Sequence, residues 1–112
     1  MNEVKLKMIL KAIDEKKGEQ VEVHDVRGVS PFFDRIVIAT MMNVRNGEAI
    51  ADEIAKVCAG IGEPIRNVEG RRSAQWILID AGDVLIHLFS EEERIRVNLS
   101  ELIVKTKRRA EE

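Results

Sequence analysis

The sequence predicts a single α/β (α+β) domain, built as a small mixed β-sheet with helices mainly on one face. Three observations predict this fold. The chain has 112 residues, of which 45% are apolar, enough for one hydrophobic core without disulfides or metals. Helix-like and strand-like patterns follow one another in the order αββαβββαα. Two short aliphatic runs between Trp76 and Phe89, joined by turn-forming residues, predict a hairpin.

The first half of the chain predicts one helix followed by two strands. Apolar residues recur at helical spacing until Gly18 ends the pattern. These residues are Val4, Met8, Ile9, Ala12 and Ile13. The alternating residues 21–26 predict a strand, and the β-branched residues 34–40 predict a second one. Pro31 interrupts a regular ladder between them, which favours a turn.

A second helix is predicted to follow Asn43, whose side chain can cap its first turn. Its apolar residues have a period near 3.6 and end before Pro64. They are Ala49, Ile50, Ile54, Val57, Cys58 and Ile61. Because Cys58 lies on this stripe, we interpret it as a buried core thiol rather than a nucleophile.

The rest of the chain predicts a short strand, the hairpin and two helices. Residues 64–68 predict the strand, and residues 90–97 predict a helical turn. Residues 98–109 predict a final helix, because Asn98 and Glu101 have the spacing of a capping box.

The loop of the hairpin decides which side chains share a face of the sheet. An odd loop would place Ile77 and Ile79 beside His87, whereas an even loop places them beside aliphatic residues. We predict an even loop, of two residues at Ala81–Gly82 or of four residues around them, with Trp76 opposite His87. One face then carries Ile77, Ile79, Val84, Ile86 and Leu88. The other face carries Trp76, Leu78, Leu85, His87 and Phe89.

The first of these faces is purely aliphatic, so it must lie under the amphipathic helices. The second face mixes apolar, aromatic and polar residues, and Glu22 and His24 extend it onto the first strand. Few helices remain to cover this mixed face, so we predict an interface for another protein there. The alternative is that the two final helices cover part of it.

The residues that could carry catalysis are too far apart or lack partners. Asp83 and His87 are separated by roughly 13 Å of extended strand, at ~3.3 Å per residue, so they cannot share a metal ion. We interpret His87 as a hydrogen-bonded structural histidine and predict no metal and no cofactor. The alternative is a nucleotidyltransferase-type enzyme that uses Ser30 and Asp34. Its two-metal chemistry needs a second carboxylate on the strand, where this chain has Ile36.

The charge balance argues against broad contact with nucleic acid. The formal net charge is -2 and the isoelectric point is about 5.8, so we expect no sequence-specific nucleic-acid binding. We interpret the basic clusters at Arg71–Arg72 and at residues 105–109 as solvated surface. A single cysteine and no apolar run near ~20 residues predict a cytoplasmic protein without membrane contact. We expect one domain over residues 1–112, with a charged C-terminal tail from about residue 104.

Four motifs together resemble the ribosomal silencing factor (iojap-like) family. They are "DVRGVSPFFDRIVIAT" from Asp25, Arg45, "VEGRRSAQWILIDAGDVLIHLF" from Val68, and Arg94 before "NLSEL". The resemblance covers residues 4–103, nearly the whole chain. It implies a nucleotidyltransferase-like fold without established enzymatic activity. It also implies a cytosolic, often dimeric factor that binds large-subunit ribosomal protein fourteen and blocks joining of the small subunit.

The predicted partner-binding residues lie at the hairpin and in the segment that follows it. They are Trp76, Arg72, Ser73, Arg94, Val97 and Glu101. The chain departs from the family at Val97, where an aromatic residue is usual, at Ser100 in place of glutamate, and at Ile103 in place of tryptophan. Met41 also stands where a glycine is common. A homodimeric adaptor with no ribosomal role is the third functional hypothesis.

Overall fold

The computed structural model describes residues 3–111, and its elements follow the predicted order. They are α1 (Glu3–Glu15), β1 (Glu19–Asp25), β2 (Arg35–Thr40), α2 (Val44–Gly60), β3 (Asn67–Glu69), β4 (Trp76–Asp80), β5 (Val84–Phe89), α3 (Glu91–Val97) and α4 (Leu99–Glu111). The bounds predicted for the third strand are wrong, since β3 begins at Asn67 rather than Pro64. Proline lacks the N–H that a ladder requires, which delays the strand. None of the helices described is long and apolar enough to span a membrane.

The five strands form one mixed sheet in the order β1-β2-β5-β4-β3. Strands β2 and β5 are parallel, whereas the other neighbours are antiparallel. A parallel pair needs a long crossover, which begins with α2 directly after β2. The mixed sheet predicted from the sequence is confirmed, and β5 lies at its centre.

Helices α1 and α2 cover one face of the sheet, as predicted. Asn43 caps α2 by accepting a hydrogen bond from the Asn46 N–H at 2.8 Å. The helix approaches the sheet closely at Gly47, where a Cβ would stand 2.4 Å from the sulfur of Met41. Cys58 is fully buried in this layer, which confirms the predicted core thiol. The strand residues buried here are Val37, Ala39, Ile77, Ile79, Val84, Ile86 and Leu88.

The predicted even loop of the β4–β5 hairpin is confirmed. Ile77 and Ile79 pair with Leu88 and Ile86, and all four lie under α1 and α2. Successive side chains of a strand alternate between faces, so the aromatic and polar residues of the hairpin lie on the opposite face.

The tip of the hairpin is Gly82–Asp83 rather than Ala81–Gly82. The glycine adopts a φ of +88°, and a tight hairpin turn favours glycine in that conformation at its first central position. The predicted pairing of Trp76 with His87 is therefore wrong, since Trp76 lies opposite Phe89. The register has moved by two residues, and a shift of two keeps each side chain on its predicted face.

Helices α3 and α4 cover part of the mixed face, which is the alternative left open by the sequence. Ile103 of α4 packs in a second cluster with Val26, Ile38 and Phe89. This cluster lies over β2 and β5, and half-buried Val97 of α3 packs against its edge.

The junction between α3 and α4 differs from a capping box. Asn98 adopts a φ of +48° and ends α3, and its backbone N–H donates to the carbonyl of Arg94. Its side-chain amide donates to the Glu101 carboxylate at 2.7 Å. The two side chains thus bind each other rather than the backbone of the first turn of α4. The charged segment from residue 104 is helical as far as Glu111 and largely exposed.

The predicted apolar stripe of α1 is wrong at its first turn. Val4 is 58% exposed, whereas Lys5 and Leu6 are buried. The helical period explains the correction, because positions 5 and 6 lie on the same face as the buried Ile9 and Ile13.

Buried Lys5 ties the first helix to the tip of the hairpin. Its Nζ donates to the carbonyl of Ala81 at 2.8 Å and to Asp83 at 2.9 Å, and it lies 3.1 Å from Glu63. Burial by itself lowers the pKa of Lys5, but the hydrogen bonds and charges of Asp83 and Glu63 outweigh burial and raise the pKa. The ammonium therefore stays charged and joins α1, the segment after α2 and the hairpin.

Replacing this ammonium tests the junction. Lys5→Met should lower the free energy of unfolding by about 1–3 kcal/mol, because it removes a buried donor from a carbonyl and two carboxylates. The partial exposure of Asp83 and Glu63 keeps the effect below that of a fully buried pair. Urea titration measures the change. The control is Lys11→Met, since Lys11 forms an exposed ion pair with Glu15. This substitution should change the free energy of unfolding by less than about 0.5 kcal/mol. Equal effects of the two substitutions would contradict the role of Lys5.

Candidate partner-binding face

A groove remains open on the mixed face beside β3 and β4. Its volume is about 310 Å³, and Glu69, Gly70, Trp76 and Leu78 line it. Trp76 is 37% exposed, so part of a large apolar ring faces solvent. We call these four residues the Trp76 face. Trp76 and Leu78 belong to the predicted interface, and neither of them is part of the second cluster under α3 and α4.

Two neighbouring rings, those of His87 and Phe89, hold Trp76 in place. The ring centroid of Trp76 lies 4.8 Å from that of Phe89 and 5.8 Å from that of His87. The Trp76 Nε1–H donates to His87 Nδ1 at 3.1 Å, so Nδ1 carries no proton. Burial lowers the pKa of His87 to about 4, which keeps the imidazole neutral. His87 is thus the hydrogen-bonded structural histidine that the sequence predicts, and it leaves the indole free to present its apolar surface.

The turn before β4 fixes the entry of Trp76 into the sheet. Gly70 has a φ of +71°, and a Cβ at this position would lie 2.4 Å from the Trp76 carbonyl oxygen. Ser73 closes the turn, since its Oγ accepts hydrogen bonds from the N–H groups of Gln75 and Trp76 at 3.0 and 3.2 Å. Arg72 lies exposed in the same turn. The structure therefore brings Arg72, Ser73 and Trp76 together, with the Ser73 hydroxyl already used within the turn.

Arg94 lies on the other side of β5 and binds β1 and β2. Its guanidinium donates to the Gln20 carbonyl, to Glu22 and, at 2.9 Å, to Thr40 Oγ1. Only 13% of its side chain is exposed. Gln20 has a φ of +50° beside a β-bulge, which presents its carbonyl to α3. The guanidinium of Arg94 is therefore largely occupied in holding α3 on the sheet.

Glu22 is the centre of this polar cluster. Its carboxylate also accepts from Ser100 Oγ at 2.9 Å and contacts His24 Nε2 at 3.0 Å. Burial by itself raises the pKa of Glu22, but the bonds from Arg94, Ser100 and His24 outweigh burial and lower it. One carboxylate thus joins β1 to both final helices.

The other two predicted partner residues lie near this cluster. Val97 is half-buried against the second apolar cluster. Glu101 is exposed and pairs with Lys105 at 2.9 Å. Arg94, Val97 and Glu101 therefore form a group on α3 and α4, apart from Arg72, Ser73 and Trp76 on the far side of β5. Their contact with a partner stays a prediction.

Three polar residues that catalysis could use, among them Ser30 of the enzyme hypothesis, have structural roles. Ser30 Oγ accepts from the N–H groups of Phe32 and Phe33, both at 3.1 Å, which makes it a turn residue. Asp80 accepts from the Gly82 N–H at 2.9 Å in the hairpin turn. Burial raises the pKa of the Cys58 thiol. Among residues 3–111, no three His, Cys, Asp or Glu side chains are grouped so that they could hold a metal ion.

The chain matches the family model described as "Ribosomal silencing factor during starvation" over residues 1–112. A ribosomal silencing factor of Halalkalibacterium halodurans is 38% identical over 101 residues, which are 90% of this chain and 86% of that protein. One of Bacillus subtilis is 34% identical over 97 residues, 87% of this chain and 82% of that protein.

Two crystal structures of similar proteins have the same fold. One, from Chromobacterium violaceum, has a TM-score of 0.86 at 27% identity and covers 91% of this chain and 86% of its own. The other, from Bacillus halodurans, has a TM-score of 0.80 at 38% identity and covers 90% of this chain and 94% of its own.

The low pKa of His87 predicts a pH dependence of stability. The folded pKa of about 4 lies below the ~6.5 of an unfolded histidine. The contribution of neutral His87 is therefore fully present above pH ~6.5 and is lost as the pH falls towards 4. Between these values the parent should lose about 2–3 kcal/mol more stability than His87→Gln.

Urea unfolding of both proteins at several pH values measures this difference. Glutamine is neutral at every pH and retains an acceptor for the Trp76 indole, so the comparison isolates the protonation of residue 87. Parallel curves for the two proteins between pH 7 and pH 4 would contradict it.

Proposed function

The chain belongs to the ribosomal silencing factor family, and we propose that it is a non-catalytic translation repressor. It binds the large ribosomal subunit through ribosomal protein fourteen and sterically blocks joining of the small subunit. The single observation that carries the proposal for this chain is the exposed indole of Trp76, held by His87 and Phe89 at the open part of the sheet.

An anchored tryptophan suits a protein partner. It offers a large apolar area and loses little side-chain entropy on binding, because its rotamer is already fixed by its neighbours. Aromatic anchors of this kind often carry most of the binding energy of an interface. Glu69 beside the groove and the net charge of -2 oppose an RNA contact at this place, which supports a ribosomal protein as the primary partner.

Steric exclusion requires no chemistry from the bound domain. The described chain measures 41 × 34 × 20 Å. Contacts between two surfaces need atoms within about 4 Å of each other. A domain 20 Å thick along its shortest axis therefore prevents direct contact between the two subunit surfaces at the place where it binds. Its action in the cytoplasm follows from the location of ribosomes.

Self-association is part of the proposal. The two candidate surfaces for it are the Trp76 face and the outer side of α3 and α4. The latter carries Ile95, 75% exposed, and Leu102, 60% exposed. A homodimer would cover one of these surfaces.

Truncation of Trp76 tests the partner contact. Trp76→Ala should weaken binding to purified large subunits by about thirtyfold, which corresponds to ~2 kcal/mol for a buried anchor. Val4→Ala, an exposed apolar residue on the opposite side of the sheet, should bind like the parent. Thermal melting of each variant must accompany the binding measurement. A folded Trp76→Ala protein that binds as tightly as the parent would remove Trp76 from the site, and a parent that binds neither subunit would favour the adaptor hypothesis.

Sedimentation equilibrium tests self-association. Over a micromolar concentration series the mass should rise from that of one 12.7 kDa chain towards that of two. Trp76→Ala and Leu102→Ser separate the two candidate surfaces, since only the variant in the interface should stay monomeric. A parent protein that remains a monomer throughout would contradict the prediction.

A further inference from the structure

The last two turns of α4 carry a concentrated positive charge. Four of the five residues from 105 to 109 are basic, namely Lys105, Lys107, Arg108 and Arg109. Within residues 3–111 only Lys105 of these four has an ion pair, with Glu101. At 1.5 Å of helix rise per residue, the five positions span only about 6 Å. This segment is therefore strongly cationic on a chain whose net charge is -2.

Core packing does not account for this end of α4. Ile103 is the buried residue of the helix, and most side chains after it are exposed. Arg108 and Arg109 lie in the last turn, where each cation contributes about 0.3–1 kcal/mol through the helix dipole. That effect explains two cations at the terminus but not Lys107, which adds a further positive charge just before the last turn.

The position of α4 relates this charge to the proposed binding face. Ile103 packs with Ile38 and Phe89, whose side chains lie on the same side of the sheet as Trp76. Helices α1 and α2 lie on the other side. A partner seated on the Trp76 face would therefore have the basic end of α4 on its own side of the domain.

We propose that the basic end of α4 binds the phosphate backbone of ribosomal RNA beside the protein partner. The inference rests on the proposed function and extends it by a second contact of different chemistry. Lysine and arginine without neighbouring aromatic anchors suit phosphate oxygens rather than bases, so the contact positions the domain without reading sequence. The two contacts have different roles. The apolar groove gives specificity for the ribosomal protein, and the cations add affinity that depends on salt concentration.

The test uses two full-length variants with equal charge change. In the first, Lys105, Lys107, Arg108 and Arg109 are all replaced by Gln. In the control, four exposed lysines on the other side of the sheet are replaced by Gln, namely Lys7, Lys11, Lys16 and Lys56. Binding is measured to purified large subunits and to isolated ribosomal protein fourteen, at salt concentrations from about 50 to about 200 mM.

The expected result concerns the salt dependence. If two to three phosphates are contacted, the slope of log affinity against log salt becomes shallower by about two in the α4 variant. The parent should then lose about tenfold more affinity than this variant over the salt range. Binding to the isolated ribosomal protein should be unchanged, and the control variant should behave like the parent. A charge-preserving variant, Arg108→Lys with Arg109→Lys, should keep the parent's slope.

Three outcomes would overturn the inference alone. In the first, the α4 variant binds the subunit with the same salt dependence as the parent. In the second, the α4 variant loses as much affinity for isolated ribosomal protein fourteen as for the subunit. In the third, the control variant shows the same change of slope as the α4 variant. A parent that binds the isolated protein but not the subunit would overturn the proposed function together with the inference. A parent that binds neither would also overturn the proposed function, and the inference with it.

Discussion

The parallel pairing of β2 with β5 is the constraint on which the rest of the molecule depends. It places β5 between β2 and β4, so β5 has neighbours on both edges and both of its faces need cover. Helices α1 and α2 supply one layer. The other layer comes from α3 and α4, which continue directly from the end of β5 and cover Phe89. They pack towards β1 and β2, and β4 is left with Trp76 partly exposed. The candidate site thus exists because the second layer is shorter than the sheet.

The sequence predicts the layers well but not the contacts that join them. The face on which Ile77 and Ile79 lie could be predicted because only a loop with an even number of residues gives a purely aliphatic surface. Every even loop gives the same faces, whichever residues form the turn. The strand register could not be predicted, because different even loops give the same faces and differ in which residues form the tip. In the structure the tip is Gly82–Asp83, and Gly82 adopts the positive φ. Lys5 was missed as a buried residue because a lysine breaks an apolar stripe. Its partners Asp83 and Glu63 are distant in sequence, and their proximity depends on the tertiary fold.

The same distinction applies to the candidate site. Arg72, Ser73 and Trp76 are close in sequence, so a local turn suffices to bring them together, and the glycine before them indicates that turn. Arg94 was expected on the partner surface, yet its guanidinium is directed to β1 by Glu22 and by the bulge carbonyl of Gln20. No local sequence pattern predicts the contact between Arg94 and Glu22, because the two residues are 72 positions apart. Arg94 thus holds α3 on the sheet through these bonds, and its contact with a partner stays a prediction.

The departures from the family follow the same division. Ser100 donates its hydroxyl to Glu22, whereas a glutamate at this position would place two carboxylates together and raise the free energy of the cluster. Ile103 is buried against Phe89, and Met41 fills the space that Gly47 leaves under α2. These three residues are therefore fitted to their neighbours inside the domain. Val97 also packs inwards, so this position offers no aromatic side chain to a partner. Under the proposed function, the partly exposed indole of Trp76 is then the aromatic group that the open part of the mixed face presents.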